Sequence, residues 1–172
     1  TRCVSVPFNV AIGCAVSPDH GVSFTRLGPG PALSHTIDEP FVVSGPKIRS
    51  FNEQLVLFYI AGRRWKNVDG RAEPVYKIRM ATSDDGVTWR RHGRDLIESK
   101  IEVDEAQASP DVFFHDGRYH MFFCYRHSTH YRGKERGYRI GYASSRDGVE
   151  CLGPLDAGQL EDELHDLGLA GA

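Results

Sequence analysis

The sequence predicts an all-β chain made of repeated antiparallel sheets, and three observations predict it. One turn-bearing segment occurs three times. It reads Ile12-Gly13-Cys14-Ala15-Val16-Ser17-Pro18-Asp19-His20-Gly21-Val22-Ser23-Phe24, then Ile78-Arg79-Met80-Ala81-Thr82-Ser83-Asp84-Asp85-Gly86-Val87-Thr88-Trp89, then Ile140-Gly141-Tyr142-Ala143-Ser144-Ser145-Arg146-Asp147-Gly148-Val149. The leading isoleucines stand 66 and 62 residues apart. Two further markers recur in the same order: Asp38-Glu39-Pro40 returns as Asp104-Glu105-Ala106, and the hydrophobic run that follows Asn52-Glu53 returns after Asp116-Gly117. The stretches between markers are rich in β-branched and aromatic residues and are bounded by Gly, Pro, Asp and Asn, which is strand rather than helix chemistry. A fixed period with a few strands per unit marks a repeat architecture. The expected fold is a partial β-propeller of antiparallel blades, about two and a half repeats, with a short C-terminal helix.

The individual elements follow from local chemistry. Strands are expected at residues 42–43, 55–60, 76–81, 112–114, 119–125 and 138–143. Tight turns are expected at Asp84-Asp85-Gly86, His115-Asp116-Gly117-Arg118 and Arg146-Asp147-Gly148. Glycine takes the positive φ that such hairpins need, and aspartate bonds back to its own backbone. The pattern then breaks, with Cys151 standing where Phe24 and Trp89 close the earlier motifs. From Asp156 the sequence reads as a helix: Asp156 with Gln159 resembles a capping box, Leu160, Leu164 and Leu167 share a face, and Gly168 is a stop. The chain therefore divides into a propeller-like repeat domain, residues 1–152, and a tail, residues 153–172.

Composition narrows the function classes. At 172 residues the chain suits one domain. Its 21 basic and 23 acidic residues give a net charge of −2, which creates no global field for nucleic acid or an anionic membrane. The basic run Arg90-Arg91-His92-Gly93-Arg94 reads as a solvated loop, since no aromatic interleaving accompanies it. The longest apolar runs, such as residues 55–61, are too short to span a bilayer. Thr1-Arg2 leads straight into strand-like sequence without a signal peptide, and the four cysteines show no C-x-x-C spacing. Reduced thiols used as small hydrophobes, and a cytoplasmic location, are the expectation. His115, His120, His127 and His130 match no zinc spacing, and His115 and His120, an odd number apart, are expected to face opposite sides of a strand. No metal is expected. No glycine-rich phosphate loop precedes a helix, so no cofactor is expected either.

With the repeats in place, several motifs carry a family resemblance: Arg26-Leu27-Gly28-Pro29-Gly30-Pro31-Ala32-Leu33, Glu73-Pro74-Val75-Tyr76-Lys77-Ile78-Arg79, the segment from Ala81 to Trp89, Asp104-Glu105-Ala106-Gln107-Ala108, and Tyr138-Arg139-Ile140-Gly141-Tyr142-Ala143. On these motifs residues 10 to 150 resemble the five-bladed propeller enzymes of glycoside hydrolase families 32 and 43 and their relatives. The resemblance implies carbohydrate processing or recognition. It also implies a catalytic base Asp, an orienting Asp and an acid Glu facing a central funnel. The chain departs from that pattern: no Arg-Asp-Pro signature occurs, and Ser109-Pro110-Asp111 is its nearest echo.

The candidate catalytic residues are Glu105, as acid, and Glu39, as its partner. Their equivalent positions in successive repeats should project them toward one end of the propeller. Glycoside hydrolysis needs two carboxyl groups about 5–5.5 Å apart for retention or about 6.5–9.5 Å for inversion. The alternatives are substrate contact, or a repeated loop position bonded to backbone amides or an arginine. Candidate substrate-binding residues are Arg63, Trp65, Tyr76, Lys77, Gln107, Asp111, Arg126 and Arg139. Planar arginine forks suit carboxylate or phosphate, so the carbohydrate partner could be an acidic or phosphorylated sugar. Salt bridges to Glu39, Glu73, Glu105 and Asp111 are the competing reading for the arginines. Core packing is the competing reading for Trp65, Tyr76 and Tyr125. Finally, about two and a half blades would leave open sheet edges, which points to a homodimer built on an edge strand or the tail helix. A non-catalytic sugar-binding or oligomer-forming module is the alternative to an enzyme.

Overall fold

The structure, a computed structural model, describes residues 5–147. The predicted tail helix and the turn glycine Gly148 lie outside the described residues. Among those described there is no helix; nine strands run in chain order. They are β1 (Ala15–Val16), β2 (Thr25–Arg26), β3 (Phe41–Phe51), β4 (Gln54–Val68), β5 (Arg71–Ser83), β6 (Arg90–Arg91), β7 (Ala106–His115), β8 (Arg118–Arg126) and β9 (Arg139–Ser145). They form three sheets in sequence order, β1-β2, β3-β4-β5-β6 and β7-β8-β9, every pairing antiparallel. All six strands expected from the sequence are present. The all-β, propeller-type architecture is the observed fold. No described helix is long and apolar enough to cross a membrane, which says nothing of a β-barrel.

The registers show the repeat in three dimensions. Ala81 faces Arg91 and Thr82 faces Arg90, as Ala15 faces Arg26 and Val16 faces Thr25. The first sheet is therefore the outer pair of one blade, the second a whole blade, and the third the inner three strands of the next. The same turn chemistry closes each unit. The Ser17 hydroxyl donates to Asp19, Ser83 to Asp85 and Ser145 to Asp147, at 2.7, 2.9 and 2.9 Å. Asp85 then accepts from the amides of Val87 and Thr88, and Asp19 from that of Ser23. Bonds from Ser23 and Ser17 hold the Asp19 carboxyl down to about 2, so it stays an acceptor at any physiological pH.

Two-residue hairpins join the long strands. Asn52-Glu53, Asp69-Gly70 and Asp116-Gly117 all take positive φ, the twist that matches paired strands. The Asp116-Gly117 turn also corrects the expectation that His115 and His120 face opposite sides. The alternation rule holds within one strand, and the turn places His115 on β7 and His120 on β8. His120 Nε2 lies 3.2 Å from the His115 carbonyl.

The second sheet is buried on both faces, which explains the unbroken apolar run in β4. Leu57, Tyr59, Ala61 and Ala81 pack toward the first sheet with Val43 and Leu33. Val56, Phe58, Ile60, Ile78 and Met80 pack toward the third, against Val112, Met121, Phe123 and Ala143. Each fully buried large side chain contributes about 1.5–3 kcal/mol, so inter-blade packing dominates the fold. Gly62 sets the close approach of β3: a Cβ there would sit 2.5 Å from the Phe41 carbonyl oxygen. Past this point β4 and β5 continue as a long hairpin carrying Arg63, Arg64, Trp65 and Lys66 over the third sheet.

Candidate functional site

Glu39 ends the loop that enters β3, where Thr36 and Glu39 exchange backbone hydrogen bonds. Its carboxylate is only 1% exposed. Tyr59 donates to Oε1 at 2.7 Å and Arg79 to the same oxygen at 3.1 Å, while Arg91 Nε lies 3.0 Å from Oε2. Arg79 also donates to Asp95 at 2.9 Å. Tyr59 and Arg79 are cross-strand partners in register, so pairing of β4 with β5 builds this cluster. Burial, reinforced by the Glu39 bond, lifts the Tyr59 phenol above its ordinary range and keeps it a donor. The buried carboxylate is tolerable because two guanidiniums face it: Oε1 takes both hydrogen bonds, and Oε2 makes only the ion pair with Arg91.

Glu105 enters β7 at the equivalent place and is equally buried. It binds differently. Its Oε2 accepts from the amides of Lys100 and Ile101 at 2.9 and 3.0 Å, and its Oε1 from Gln107 at 2.8 Å. Gln107 in turn donates to the Ile97 carbonyl at 3.2 Å. The pair thus clamps the 97–105 loop. Lys77, 7% exposed, donates to Ser99 Oγ on that loop at 2.5 Å. Desolvation lowers its pKa against the opposing pull of Glu105, Asp95 and Asp104.

Lys77 and Asp95 line one cleft of about 340 Å³ with Arg63, Arg64, Val75, Val103 and Asp104; neither Glu39 nor Glu105 is among its lining residues. Glu39 connects to it through Arg79 and Asp95, and Arg63 lies 4.0 Å from Asp95. Arg64 and Lys66 both pair with Asp104. Those bonds outweigh the effect of burial and lower the Asp104 pKa. Among the described residues no group of three metal-ligating side chains occurs. A larger cavity of about 410 Å³ lies at the Asn52-Glu53 end, and its titratable lining groups are His92, Tyr119 and Asp147. The charged cleft is the better candidate for a polar ligand because donors and carboxylates alternate around it.

The remaining sequence candidates lie elsewhere. Trp65 packs edge-on to Phe8 and Phe41, and Trp65, Tyr76 and Tyr125 all join the core cluster between the second and third sheets. Core packing, the alternative left open for these aromatics, is where they are found. Arg126 is 1% exposed, with its guanidinium carbon 3.5 Å from the Tyr131 ring centroid. It donates to the Tyr76 hydroxyl at 3.1 Å and to the Pro74 carbonyl at 3.2 Å. It is a pillar between the long hairpin and the third sheet. Asp111 pairs with Arg49 on the neighbouring inner strand. Arg139 bonds the Glu135 carbonyl.

Sequence reasoning missed Tyr59, Arg91 and Asp95, which complete the Glu39 cluster. The signal for Tyr59 was present: it stands in the hydrophobic run at a position that alternation turns to the Glu39 side. Asp95 carried none, because it lies in the irregular stretch after β6. Glu102 was also missed. It takes bonds from the Ser128 hydroxyl and amide and from His127, at 2.6, 2.7 and 2.9 Å. Although burial opposes it, these bonds bring its pKa to about 2.

No family model matches the chain. It is 31% identical over 146 residues to the uncharacterized protein Rv1502 of Mycobacterium tuberculosis (strain ATCC 25618 / H37Rv); the alignment covers 85% of this chain and 45% of that protein. The chain thus spans about half the length of the curated relatives it matches. Among solved structures it superposes on a protein described as a glycoside hydrolase with a TM-score of 0.58 at 19% identity, covering 76% of this chain and 38% of the other. It superposes on Zg3597, a family 117 glycoside hydrolase of Zobellia galactanivorans, with a TM-score of 0.51 at 16% identity, covering 65% and 38%. The chain shares its fold with glycoside hydrolases.

Proposed function

We propose that the chain supplies consecutive blades of a five-bladed propeller that processes or recognises carbohydrate, with the Lys77 cleft as the sugar-contacting surface. One observation carries this reading: on a fold shared with glycoside hydrolases, the two repeat-equivalent glutamates are linked to a single cleft edged by Arg63, Arg64, Lys77, Asp95 and Asp104. Alternating donors and carboxylates suit sugar hydroxyls. Arg63 and Lys77 also suit a carboxylate or phosphate on an acidic or phosphorylated sugar. In the enzyme version Glu105 is the proton donor and Glu39 its partner, and sugar entry exchanges one of their present bonds for a bond to the ligand.

A second reading is a non-catalytic binding module. It is favoured by the 1% exposure of both carboxylates and by the bonds that already occupy Glu39 Oε1 and both oxygens of Glu105. Calorimetric titration with uronic acids, sugar phosphates and neutral oligosaccharides, together with reducing-sugar release, separates the two. Binding weakened at least about tenfold by Lys77→Met or Arg63→Ala supports the cleft, since a charge-assisted bond contributes about 1.5–3 kcal/mol. Turnover abolished by Glu105→Gln supports the enzyme; binding without turnover supports the module. Absence of binding to every class rejects both.

A further inference from the structure

The charges around the Lys77 cleft do not balance, and the imbalance falls on two side chains. Six cations stand at the cleft or directly behind it: Arg63, Arg64, Lys66, Lys77, Arg79 and Arg91. Four carboxylates meet them, those of Glu39, Asp95, Asp104 and Glu105. Asp104 is held by Arg64 and Lys66. Glu39 is held by Arg79 and Arg91, and Asp95 by the other side of Arg79. Glu105 is bonded to two backbone amides and Gln107. Arg63 and Lys77 are left over. Arg63 reaches Asp95 only at 4.0 Å and places one guanidinium nitrogen on the Asp38 carbonyl at 3.1 Å. Lys77 is 7% exposed, and the Ser99 hydroxyl, at 2.5 Å, is its one hydrogen-bond partner among the described residues. An ammonium has three donors, so two of its positions are open. A buried ammonium without a carboxylate partner is costly, and a bound anion would offset that cost.

This slot is particular to one blade. Lys77 pairs across the sheet with Ala61, and the matching pair in the next blade is Arg139 with Tyr125. Alanine opposite Lys77 occupies little of the space that tyrosine takes opposite Arg139. Arg63 is the residue that the irregularity between Gly62 and Arg64 leaves without a strand partner, and it lines the cleft together with Lys77.

We propose that the group completing the cleft is a phosphate monoester, so that, on the carbohydrate reading of this site, the ligand is a sugar phosphate and not a neutral sugar or a uronic acid. Two unpaired cations call for two negative charges. A phosphate monoester carries about −1.5 to −2 at pH 7 and offers three acceptor oxygens, enough for Arg63 and Lys77 together, whereas a uronate carries a single charge. An arriving phosphate also faces Asp95 and Asp104, but Arg79, Arg64 and Lys66 already neutralise both.

Calorimetric titration of the full chain with methyl phosphate, formate, glucose 6-phosphate and neutral oligosaccharides tests this. At about pH 7.5 methyl phosphate is expected to bind one site at least about tenfold more tightly than formate, and Lys77→Met and Arg63→Ala are each expected to weaken it at least about tenfold. The methyl phosphate to formate affinity ratio should fall toward one at about pH 5, where the ester has gained its second proton and formate has not. Groups of the protein titrate alike against both ligands and cancel in that ratio. Methyl phosphate should raise the unfolding midpoint of the native protein and not that of Lys77→Met. Lys77→Met alone should unfold no more easily than the native protein, since it removes a buried charge that lacks a carboxylate partner. Formate binding as tightly as methyl phosphate, a ratio unmoved by pH, binding that survives both substitutions, or no binding of methyl phosphate overturns the proposal. A neutral oligosaccharide bound as tightly as any phosphate ester, and weakened by Lys77→Met, overturns it but keeps the carbohydrate reading. Methyl phosphate bound as tightly as glucose 6-phosphate and every other sugar phosphate keeps the phosphate site and overturns the carbohydrate reading.

Discussion

Glu39 and Glu105 hold the same place in successive blades, but they are held by different means. Around Glu39, the register pair Tyr59 and Arg79 supplies a hydroxyl and a guanidinium, and Arg91 closes the other side. At the matching register pair in the next blade stand Phe123 and Gly141. The phenylalanine ring lies over the glycine so closely that a Cβ there would sit 2.6 Å from it. Where one blade has a polar cluster, the next has a packed ring, and Glu105 turns instead to the amides of Lys100 and Ile101. The repeat conserves a position for carboxylate; its partners are chosen blade by blade. Glu39 fastens strands of one sheet to each other and to the Asp95 edge of the cleft. Glu105 shapes the loop that forms the other edge.

The comparison can be broken most severely at Glu39. Glu39→Ala leaves Arg79 and Arg91 facing each other without the carboxylate, and is expected to cost about 3–5 kcal/mol in urea unfolding. Tyr59→Phe, which imports the next blade's residue, should cost only about 1–3 kcal/mol, because Arg79 still serves the same oxygen. A Tyr59→Phe loss as large as that of Glu39→Ala would mean that the hydroxyl, not the ion pairs, holds the cluster. Gly141→Ala tests the other blade. It forces the Phe123 ring aside and should destabilise by about 1–3 kcal/mol, with partial recovery when Phe123→Leu is added.

Smaller effects sharpen the picture. Glu53 takes φ 64° at the place where the next blade has Gly117 at φ 72°. Glu53→Gly should stabilise by up to about 1 kcal/mol, as relief of a left-handed residue that carries a Cβ; a loss would show that the Glu53 side chain matters. The least effect belongs to Glu102. Its folded pKa, about 2, lies below its ordinary value of 4.5. Its contribution is therefore complete above about pH 4.5 and disappears as pH falls toward 2. With the side chain 27% exposed, the amount is under about 1 kcal/mol. Glu102→Gln should lower stability by that amount at neutral pH and flatten the acid limb of a stability–pH profile, leaving stability at about pH 2 nearly unchanged.

Much of the fold was legible because its causes are local. The Asp-Gly turns and the Ser-x-Asp bonds at Asp19, Asp85 and Asp147 need only neighbouring residues, and their spacing exposed the repeat. Two readings failed: strand alternation was carried across a turn for His115 and His120, and the Arg90-Arg91-His92-Gly93-Arg94 run, expected as a solvated loop, begins with strand β6 and sets Arg91 against Glu39. The site was legible in part. The paired glutamates, Arg63 and Lys77 were visible as repeated or strand-end charges. Asp95 and Arg91 were not, because Arg91 reaches Glu39, and Asp95 reaches Arg79, from segments distant in sequence. The arginines read as ligand-seeking divide in the structure: Arg126 is enclosed by tyrosines, and Arg63 remains at the cleft.

By itself the sequence determined an all-β repeat, its period and the positions of its turns, since hydrogen bonds within a few residues and alternating hydrophobicity specify these. Only the tertiary structure decided what each equivalent residue meets. Ile78 and Ile140 are the same residue in the same register, yet one is sealed against the third sheet and the other faces outward. Glu39 and Glu105 likewise share a sequence slot and differ in every partner. Burial and long-range pairing depend on which surface comes to lie opposite, and no spacing along one chain encodes that.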